Sequence, residues 1–132
     1  MCGIFALLNN KNSFSKELIK ESFEKGVKRG PEGSFLHETS NSLTLGFHRL
    51  AINGLDTISN QPMSINGITL ICNGEIYNYK ELFQEIDIQP KTNSDCEIII
   101  HLYKLYGIEQ TLKMLDGVFA FILYDYSNID IE

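Results

Sequence analysis

The chain contains no tryptophan, three prolines and no long apolar run. Because a membrane-spanning helix needs about 18 consecutive apolar residues, we expect no transmembrane segment. Residues 1–8 are too few, and lack the basic start, for a secretory signal peptide. Basic side chains are also scarce, and the net charge of −6 argues against nucleic acid or an anionic membrane as partner. The sequence therefore predicts a soluble, cytoplasmic protein that binds small molecules or other proteins.

Cysteine is sparse, and its spacing excludes two common uses. The chain has three cysteines, Cys2, Cys72 and Cys96, and three histidines, His37, His48 and His101. An odd number of cysteines without a CxxC pair fits a reducing compartment better than a disulfide framework. None of these residues stands at zinc-finger spacing, so we predict no metal site. We expect Cys72 and Cys96 to be buried packing residues.

Cys2 stands directly behind the initiator methionine. Removal of Met1 would give Cys2 a free α-amine beside its thiol, so one residue would carry both a nucleophile and a base. Methionine is ordinarily trimmed before a small side chain, so this terminus needs no special protease. The alternative is that position 2 merely holds a small residue, and Met-Cys alone favours that alternative.

The hydrophobic pattern predicts short strands early in the chain and helices later. Expected strands cover residues 4–8, 35–37, 43–47, 50–52, 68–72 and 118–124. Expected helices cover residues 15–28, from 78 or 79 to 86, 96–106 and 108–114. Turn signals stand at 40–41, 53–54, 60–62 and 66–67. Ser15 is a candidate helix cap, and Ser94 with Glu97 has capping-box spacing. The pattern indicates one α+β domain, a layered sandwich of mostly antiparallel sheet.

Two neighbouring polar groups follow the strand predicted at 68–72. Asn73 offers a side-chain amide and Gly74 a main-chain N–H at a strand end, where amides can turn outward instead of pairing. Two donors aimed at one point are what an oxyanion hole for acyl transfer requires, and one such donor is typically worth about 10²–10³ in rate. The alternative is an ordinary Asn-Gly hairpin turn, which the spacing alone favours.

Arg49 and Asp95 are the charged candidates for ligand binding. Arg49 is one of two arginines, and its forked guanidinium suits a carboxylate. Either a structural acid partner or an anionic ligand would explain an arginine among apolar neighbours. Asp95 precedes a predicted helix, where it favours the positive helix end or holds the ammonium group of a ligand.

Seven segments, in order along the chain, resemble one known family. They are Met1-Cys2-Gly3-Ile4-Phe5, Arg29-Gly30-Pro31, His48-Arg49-Leu50-Ala51-Ile52, Gln61-Pro62-Met63, Asn73-Gly74-Glu75-Ile76-Tyr77-Asn78, Ser94-Asp95-Cys96-Glu97 and Leu115-Asp116-Gly117-Val118-Phe119-Ala120-Phe121. Together they resemble the class II glutamine amidotransferase domain of glutamine-hydrolysing asparagine synthetases. Cys-Gly-Ile is shared by class II amidotransferases, whereas Asn-Gly-Glu-Ile-Tyr-Asn with Ser-Asp-Cys-Glu is typical of the asparagine synthetase branch. This combination argues against an amidotransferase of amino-sugar or purine synthesis.

The resemblance implies a fold and a reaction. The fold is that of N-terminal nucleophile hydrolases, a four-layer αββα sandwich, and the reaction converts L-glutamine to glutamate and ammonia. Cys2 would attack the side-chain amide, its α-amine would relay the proton to the departing ammonia, and water would hydrolyse the γ-glutamyl thioester. Asn73 and Gly74 would form the oxyanion hole.

The resemblance also implies a substrate pocket. Arg49 would hold the α-carboxylate of glutamine, and Asp95 with Glu75 would hold the α-amino group. The main chain of Leu50, Ala51, Ile52 and Asn53 would line the pocket, to which Asn73 and Gly74 also belong. Glutamine presents an anion, a cation and a neutral amide, which need three different kinds of partner.

Two positions near this pocket depart from the family pattern. Glu32 stands where the family has Asp, and Asn93 replaces the Gly before Ser94. A longer acid can make the same hydrogen bond, and Asn tolerates left-handed backbone angles, so neither change excludes activity.

The chain stops at Glu132, before the further strands and the ATP-using synthetase domain of the family pattern. Residues 1–132 are therefore expected to be a glutaminase domain that is truncated at its C-terminal end. We expect no cofactor in this domain, with ATP and Mg²⁺ confined to the missing synthetase domain, which would act in cis or in trans. A homodimer is left open. The alternative function is a truncated, inactive glutamine-binding or interaction module that needs a second chain.

Overall fold

Short strands and helices make up most of the described chain. The computed structural model describes residues 2–40 and 43–127, apart from the side chains of residues 39 and 40. The strands are β1 Gly3–Leu8, β2 Gly33–Ser40, β3 Leu43–Arg49, β4 Met63–Ile65, β5 Ile68–Ile76 and β6 Gly117–Asp125. The helices are α1 Lys16–Glu24, α2 Tyr79–Glu85 and α3 Glu97–Met114, with a short 3-10 turn at Val27–Arg29. The backbone divides into two compact units, Met1–Ile52 and Asn53–Glu132.

The first unit is an antiparallel sheet with a helix on one face. Its strand order is β1-β3-β2. The ring of Phe23 in α1 stacks on His48 of β3 at 4.0 Å between centroids, and meets Phe5 of β1 edge-on at 5.9 Å. Because side chains alternate along a strand, α1 covers the face that carries Phe5 and His48, and their sequence neighbours point to the other face.

Helix α1 begins as predicted and ends earlier. Leu18 donates its amide to Ser15 Oγ at 3.2 Å, which confirms the cap. The α-helix ends at Glu24 instead of residue 28, and the chain continues through Lys25 and Gly26 into the 3-10 turn at Val27–Arg29. A Cβ at Gly26 would come within 2.9 Å of the His48 ring, so the close packing of this turn on the sheet requires glycine.

The second unit is an antiparallel sheet of order β4-β5-β6, with α2 and α3 packed on one face. Strands β4 and β5 form a hairpin through Asn66 and Gly67, whose φ values of 52° and 79° fit the predicted two-residue turn. The buried core of this unit includes Ile68, Leu70, Cys72, Ile76, Leu82, Phe83, Ile98, Ile99 and Leu102. Alternate residues of β5 therefore face the helices.

Three local predictions are wrong. Residues 50–52 form no strand and leave β3 as an irregular loop. Strand β5 does not end at Cys72 but continues to Ile76, because it pairs with β6 over its whole length without a register break. The capping box is absent, since Cys96 is the N-cap of α3 and the Glu97 carboxylate bonds residues 91 and 92 instead.

The helical stretches predicted on either side of Gly107 are confirmed. Helix α3 spans both, and Gly107 interrupts it with φ 76° and ψ 172°, angles open almost only to glycine. Both sheets are antiparallel, which fits the predicted α+β class. The turn predicted at 40–41 lies partly outside the described residues. In the described ranges, no helix is long and apolar enough to cross a membrane.

Candidate active site

Cys2 directly precedes β1 and Arg49 ends β3, so both residues lie at one end of the first sheet. Strands β1 and β3 pair Gly3 with His48, so Cys2 and Arg49 each lie one residue beyond the last pair of these two strands. Because His48 points toward α1, Arg49 points to the face turned away from the helix. The register thus brings a thiol and a guanidinium to the same end of the sheet.

The Cys2 thiol contacts the main chain of the loop after β3. The Leu50 N–H points at Cys2 Sγ at 3.4 Å, and the Leu50 carbonyl oxygen lies 3.3 Å from the same sulfur. Sulfur accepts an N–H more strongly as a thiolate than as a thiol. Because the Cys2 side chain is only half-buried, the sulfur is held in place and still accessible.

Glu32 holds the same loop. Its main-chain amide donates to the Arg49 carbonyl at 3.0 Å, and its carboxylate accepts the Ala51 amide at 3.1 Å. The side chains of Cys2 and Glu32 accept the main-chain amides of Leu50 and Ala51, which in a strand would bond a neighbouring strand. These side-chain bonds allow residues 50–52 to be irregular. The longer acid at position 32 therefore does reach the main chain of the predicted pocket. Ile52, at the end of this loop, is 56% exposed.

The predicted oxyanion donors lie in the second unit, inside a strand. Both the outward turn and the hairpin turn predicted for Asn73 and Gly74 are wrong, because both residues pair with β6. In an antiparallel strand, the N–H and C=O groups of every second residue point to the same edge. Gly74 therefore directs its N–H to the same edge as Cys72 and Ile76, the edge that faces away from β6.

Strand β4 is too short to cover this edge, since its pairing with β5 ends at Leu70. Cys72 instead bonds Gln61: its N–H donates to Oε1 at 2.5 Å and its carbonyl accepts from Nε2 at 3.2 Å. The Ile76 N–H donates to Asp95 Oδ2 at 2.7 Å. Among the described residues, no side chain bonds the Gly74 N–H that lies between these two positions.

Asn73 carries the only buried side-chain polar atom without a partner in the described residues, its Oδ1. Leaving such an acceptor without any hydrogen-bond donor costs about 1–3 kcal/mol, so a donor from outside the chain, a water or a ligand, is expected at this position. By strand alternation Glu75 shares the face of Asn73. A Cβ at Gly74 would come within 2.5 Å of Phe119 Cα, so the close approach of β6 requires glycine there.

Asp95 is 4% exposed, and its bond to the Ile76 amide uses one carboxylate oxygen. The sequence predicted that Asp95 either interacts with the positive end of a helix or binds a ligand ammonium group, and neither prediction includes this bond. Its effect is to fix the end of β5. Asn53, predicted as a pocket residue, is exposed in the loop that opens the second unit.

Glu97 is fully buried and anchors the segment that leads to Asp95. Its carboxylate accepts the amides of Lys91 and Thr92 at 2.8 and 2.6 Å, the Thr92 hydroxyl at 2.7 Å and the His101 ring at 2.8 Å. Burial acts to raise the pKa of this carboxyl, but the hydrogen bonds from His101, Lys91 and Thr92 outweigh it and hold the pKa below its usual value. Sequence reasoning assigned Glu97 only to a helix cap.

A second network joins the loop after Asn53 to the same segment. Asn93 donates its side-chain amide to Asp56 Oδ2 at 2.5 Å and its main-chain amide to Ser59 Oγ at 3.2 Å. The Ser59 amide donates to Asp56 Oδ1 at 2.8 Å. Hydrogen bonds from Asn93 and then Ser59 hold the pKa of the Asp56 carboxyl below its usual value. The departure from the family pattern at Asn93 thus has a structural partner.

The remaining cysteines are buried, as predicted, with Cys72 1% and Cys96 3% exposed. A hydrogen bond with Cys72 and burial raise the pKa of the Cys96 thiol. Over residues 2–40 and 43–127, no three His, Cys, Asp or Glu side chains gather as metal ligands. The predicted site residues divide between the units: Cys2, Arg49, Leu50, Ala51 and Ile52 lie in the first, and Asn53, Asn73, Gly74, Glu75 and Asp95 in the second.

Comparison with known proteins identifies the family. The chain is 45% identical to asparagine synthetase (glutamine-hydrolyzing) of Mesocricetus auratus, and 43% identical to the proteins of that name from Homo sapiens and Gallus gallus. Each alignment covers 97% of this chain and 23% of the relative, so the chain spans about a quarter of the length of these relatives. Residues 1–131 match the family described as a glutamine amidotransferase domain. Since this match extends over nearly the whole sequence, the chain belongs to the glutamine amidotransferase domain family.

Proposed function

We propose that this chain hydrolyses L-glutamine to glutamate and ammonia as the glutaminase part of an asparagine synthetase. The observation that supports the proposal best is the position of Cys2, with its sulfur against the Leu50 main chain directly after Arg49, at the end of the β1–β3 strand pair. A nucleophile and a carboxylate-binding cation are thereby neighbours at the start of a chain that belongs to a glutamine-using family.

The reaction proceeds through a thioester. Once Met1 is removed, Cys2 Sγ bonds to the side-chain amide carbon of glutamine, and its α-amine takes up the thiol proton. The carbon–nitrogen bond of the tetrahedral intermediate then breaks, and ammonia leaves with the proton that the α-amine returns. Water adds to the γ-glutamyl thioester, which releases glutamate and regenerates the Cys2 thiol.

Asn73 Nδ2 and the Gly74 N–H stabilise the oxyanion of the tetrahedral intermediates. Support comes from the edge of β5, where the Gly74 N–H faces away from β6 and bonds no described side chain. A preorganised donor of this kind acts where charge develops, and it needs no reorganisation during the reaction.

Charged groups select the two ends of free glutamine. Arg49 binds the α-carboxylate, and Glu75 with the second oxygen of Asp95 binds the α-ammonium group. The main chain of residues 50–53 lines the pocket, and Glu32 stabilises its first part through the Ala51 amide. This division of roles follows from the anion, cation and neutral amide of the substrate.

The proposal extends to the wider protein. The domain adopts the four-layer αββα sandwich of N-terminal nucleophile hydrolases and acts in the cytoplasm. It holds no cofactor of its own. A synthetase domain, in cis or in trans, uses ATP and Mg²⁺ to transfer the ammonia in asparagine biosynthesis.

Ammonia release from L-glutamine tests the proposal. The natural protein, with removal of Met1 verified by intact mass, is expected to yield glutamate and ammonia in equal amounts. Hydroxylamine is expected to divert the thioester to γ-glutamyl hydroxamate, and Cys2→Ser is the control in which hydroxamate should disappear. A protein with a verified Cys2 terminus that binds glutamine and releases no ammonia would instead favour the inactive binding module.

A further inference from the structure

We propose that Gln61 is a positioning residue for the oxyanion donors, an inference that rests on the glutaminase function proposed above. Gln61 is 6% exposed and lies just before β4. The register of β4 and β5 pairs Met63 with Leu70, so one further step of two residues along each strand sets Gln61 opposite Cys72. At that position the side chain of Gln61 replaces the main chain as the partner of β5.

The Gln61 amide makes both bonds of a ladder pair. Oε1 accepts the Cys72 N–H at 2.5 Å, and Nε2 donates to the Cys72 carbonyl at 3.2 Å. A carboxamide side chain has the same donor and acceptor as a peptide group, which allows this exchange. Cys72 immediately precedes Asn73, so the pair fixes the strand directly before the two donors.

A second fixed point lies on the other side of the donors. Asp95 Oδ2 accepts the Ile76 N–H at 2.7 Å on the same edge of β5. Residues 73–75 are thus held by one side chain before and one after, while β6 pairs with the other edge. A shift of about 1 Å in a reacting geometry costs on the order of 10²-fold in rate. Loss of either fixed point is therefore expected to affect the chemical step.

The two fixed points are also connected to each other. Ser59, two residues before Gln61, accepts the Asn93 amide at 3.2 Å, and Asn93 lies two residues before Asp95. The Asp56–Asn93 hydrogen bond reinforces this link. The segment that precedes Gln61 and the segment that precedes Asp95 are therefore hydrogen-bonded to each other.

Substitution of Gln61 in the natural protein tests the inference. Gln61→Met keeps the length of the side chain and removes both bonds, whereas Gln61→Glu keeps the acceptor for the Cys72 N–H and loses the donor. Gln84→Met, at an exposed glutamine of α2, is the matched control. The measurements are kcat and KM for L-glutamine, and the inhibition constant of the γ-aldehyde analogue of glutamine, which forms a tetrahedral adduct with a thiol.

Gln61→Met is expected to lower kcat about 10-fold to 100-fold and to raise the inhibition constant by a similar factor, with KM changed less than about threefold. Gln61→Glu is expected to lie between Gln61→Met and the wild type, and Gln84→Met to match the wild type. A melting scan shows which variants fold. If Gln61→Met does not fold, kcat and the inhibition constant of Gln61→Glu test the inference instead.

If the wild type hydrolyses glutamine, either of two results overturns the inference. One is an unchanged kcat in a folded Gln61 variant, and the other is a raised KM with unchanged kcat, which indicates a loss of ground-state binding only. A wild-type protein that releases no ammonia overturns the glutaminase proposal and this inference with it. The two failures are therefore distinguishable.

Discussion

The carboxylate of Asp95 accepts the main-chain amide of Ile76 at 2.7 Å, so the residue that precedes α3 by two positions holds the end of β5. In the proposed function the second oxygen of this carboxylate binds the substrate ammonium group, so Asp95 combines a structural role with a binding role. These roles are separable, because a neutral amide can keep the first and not the second.

Asp95→Asn is predicted to separate them. The Asn oxygen can still accept the Ile76 N–H, so the melting temperature should stay close to that of the wild type. Loss of the charge-assisted bond to the substrate ammonium, worth about 1.5–3 kcal/mol, should raise KM for glutamine about 10-fold to 100-fold. Asp95→Leu should lose both roles and melt earlier. An unchanged KM in Asp95→Asn would restrict Asp95 to the structural role.

Cys2→Ala is predicted to abolish glutamine hydrolysis and leave the fold intact. Among the described residues, the thiol bonds the Leu50 main chain and nothing else, so few contacts depend on it. Ammonia release and a melting scan measure the two effects. A thiol reagent should label Cys2 in the wild type much faster than the buried Cys72 and Cys96. Residual hydrolysis equal to that of the wild type would contradict the role of Cys2.

Arg49→Lys is predicted to weaken glutamine binding although the charge is kept. A guanidinium binds a carboxylate through two parallel hydrogen bonds, whereas an ammonium group offers a point contact. The expected rise in KM exceeds the effect of one ordinary hydrogen bond, about 1 kcal/mol or roughly fivefold. Lys28→Arg, at an exposed residue of the same unit, is a control that should leave KM unchanged. Equal KM values for Arg49→Lys and the wild type would contradict carboxylate binding.

Acid is predicted to destabilise the protein through Glu97. Because hydrogen bonds hold the folded pKa of this carboxyl below its usual value, its contribution to stability is complete above the unfolded pKa, about 4.3. The contribution is lost as the pH falls through the lower folded pKa. Glu97→Gln should lower the free energy of unfolding at pH 7 by about 1.5–3 kcal/mol and reduce the dependence on acid.

Urea unfolding at neutral and acidic pH measures this effect. Glu109→Gln is the control, because Glu109 pairs with Lys113 on the exposed surface of α3 and should contribute little. If Glu97→Gln and the wild type lose stability in parallel on acidification, the buried carboxylate is not responsible.

Local sequence signals predicted most elements of this fold but not their extent. Asn73 and Gly74 have strong turn character, yet pairing with β6, far along the chain, keeps both in the strand. The Ser94–Glu97 spacing suggested a capping box, whereas the Glu97 carboxylate bonds the preceding loop and His101 instead. In both cases the local structure is determined by contacts with residues distant in sequence, which a local pattern does not show.

The sequence predicted which residues belong to the candidate site but only part of their spatial arrangement. Strands at 4–8 and 43–47 were expected, but only their observed register, which pairs Gly3 with His48, brings Cys2 and Arg49 to the same end of the sheet. Gln61 and Asp56 were missed as supporting residues, because a single sequence does not show that a side chain will take the place of a main-chain partner. The resemblance motif that contains Gln61 was the one signal that marked this position.

Strand β4 is three residues long, and this brevity has a chemical consequence. If β4 began several residues earlier in the same register, its main chain would accept the Gly74 N–H and cover this edge of β5. Because β4 ends early, the Gly74 N–H bonds no described side chain, whereas the amides of Cys72 and Ile76 on either side of it bond the side chains of Gln61 and Asp95. In the proposed mechanism, glutamine hydrolysis thus depends on where strand β4 ends, and an insertion that lengthened the β4–β5 hairpin would abolish it without altering any reacting atom.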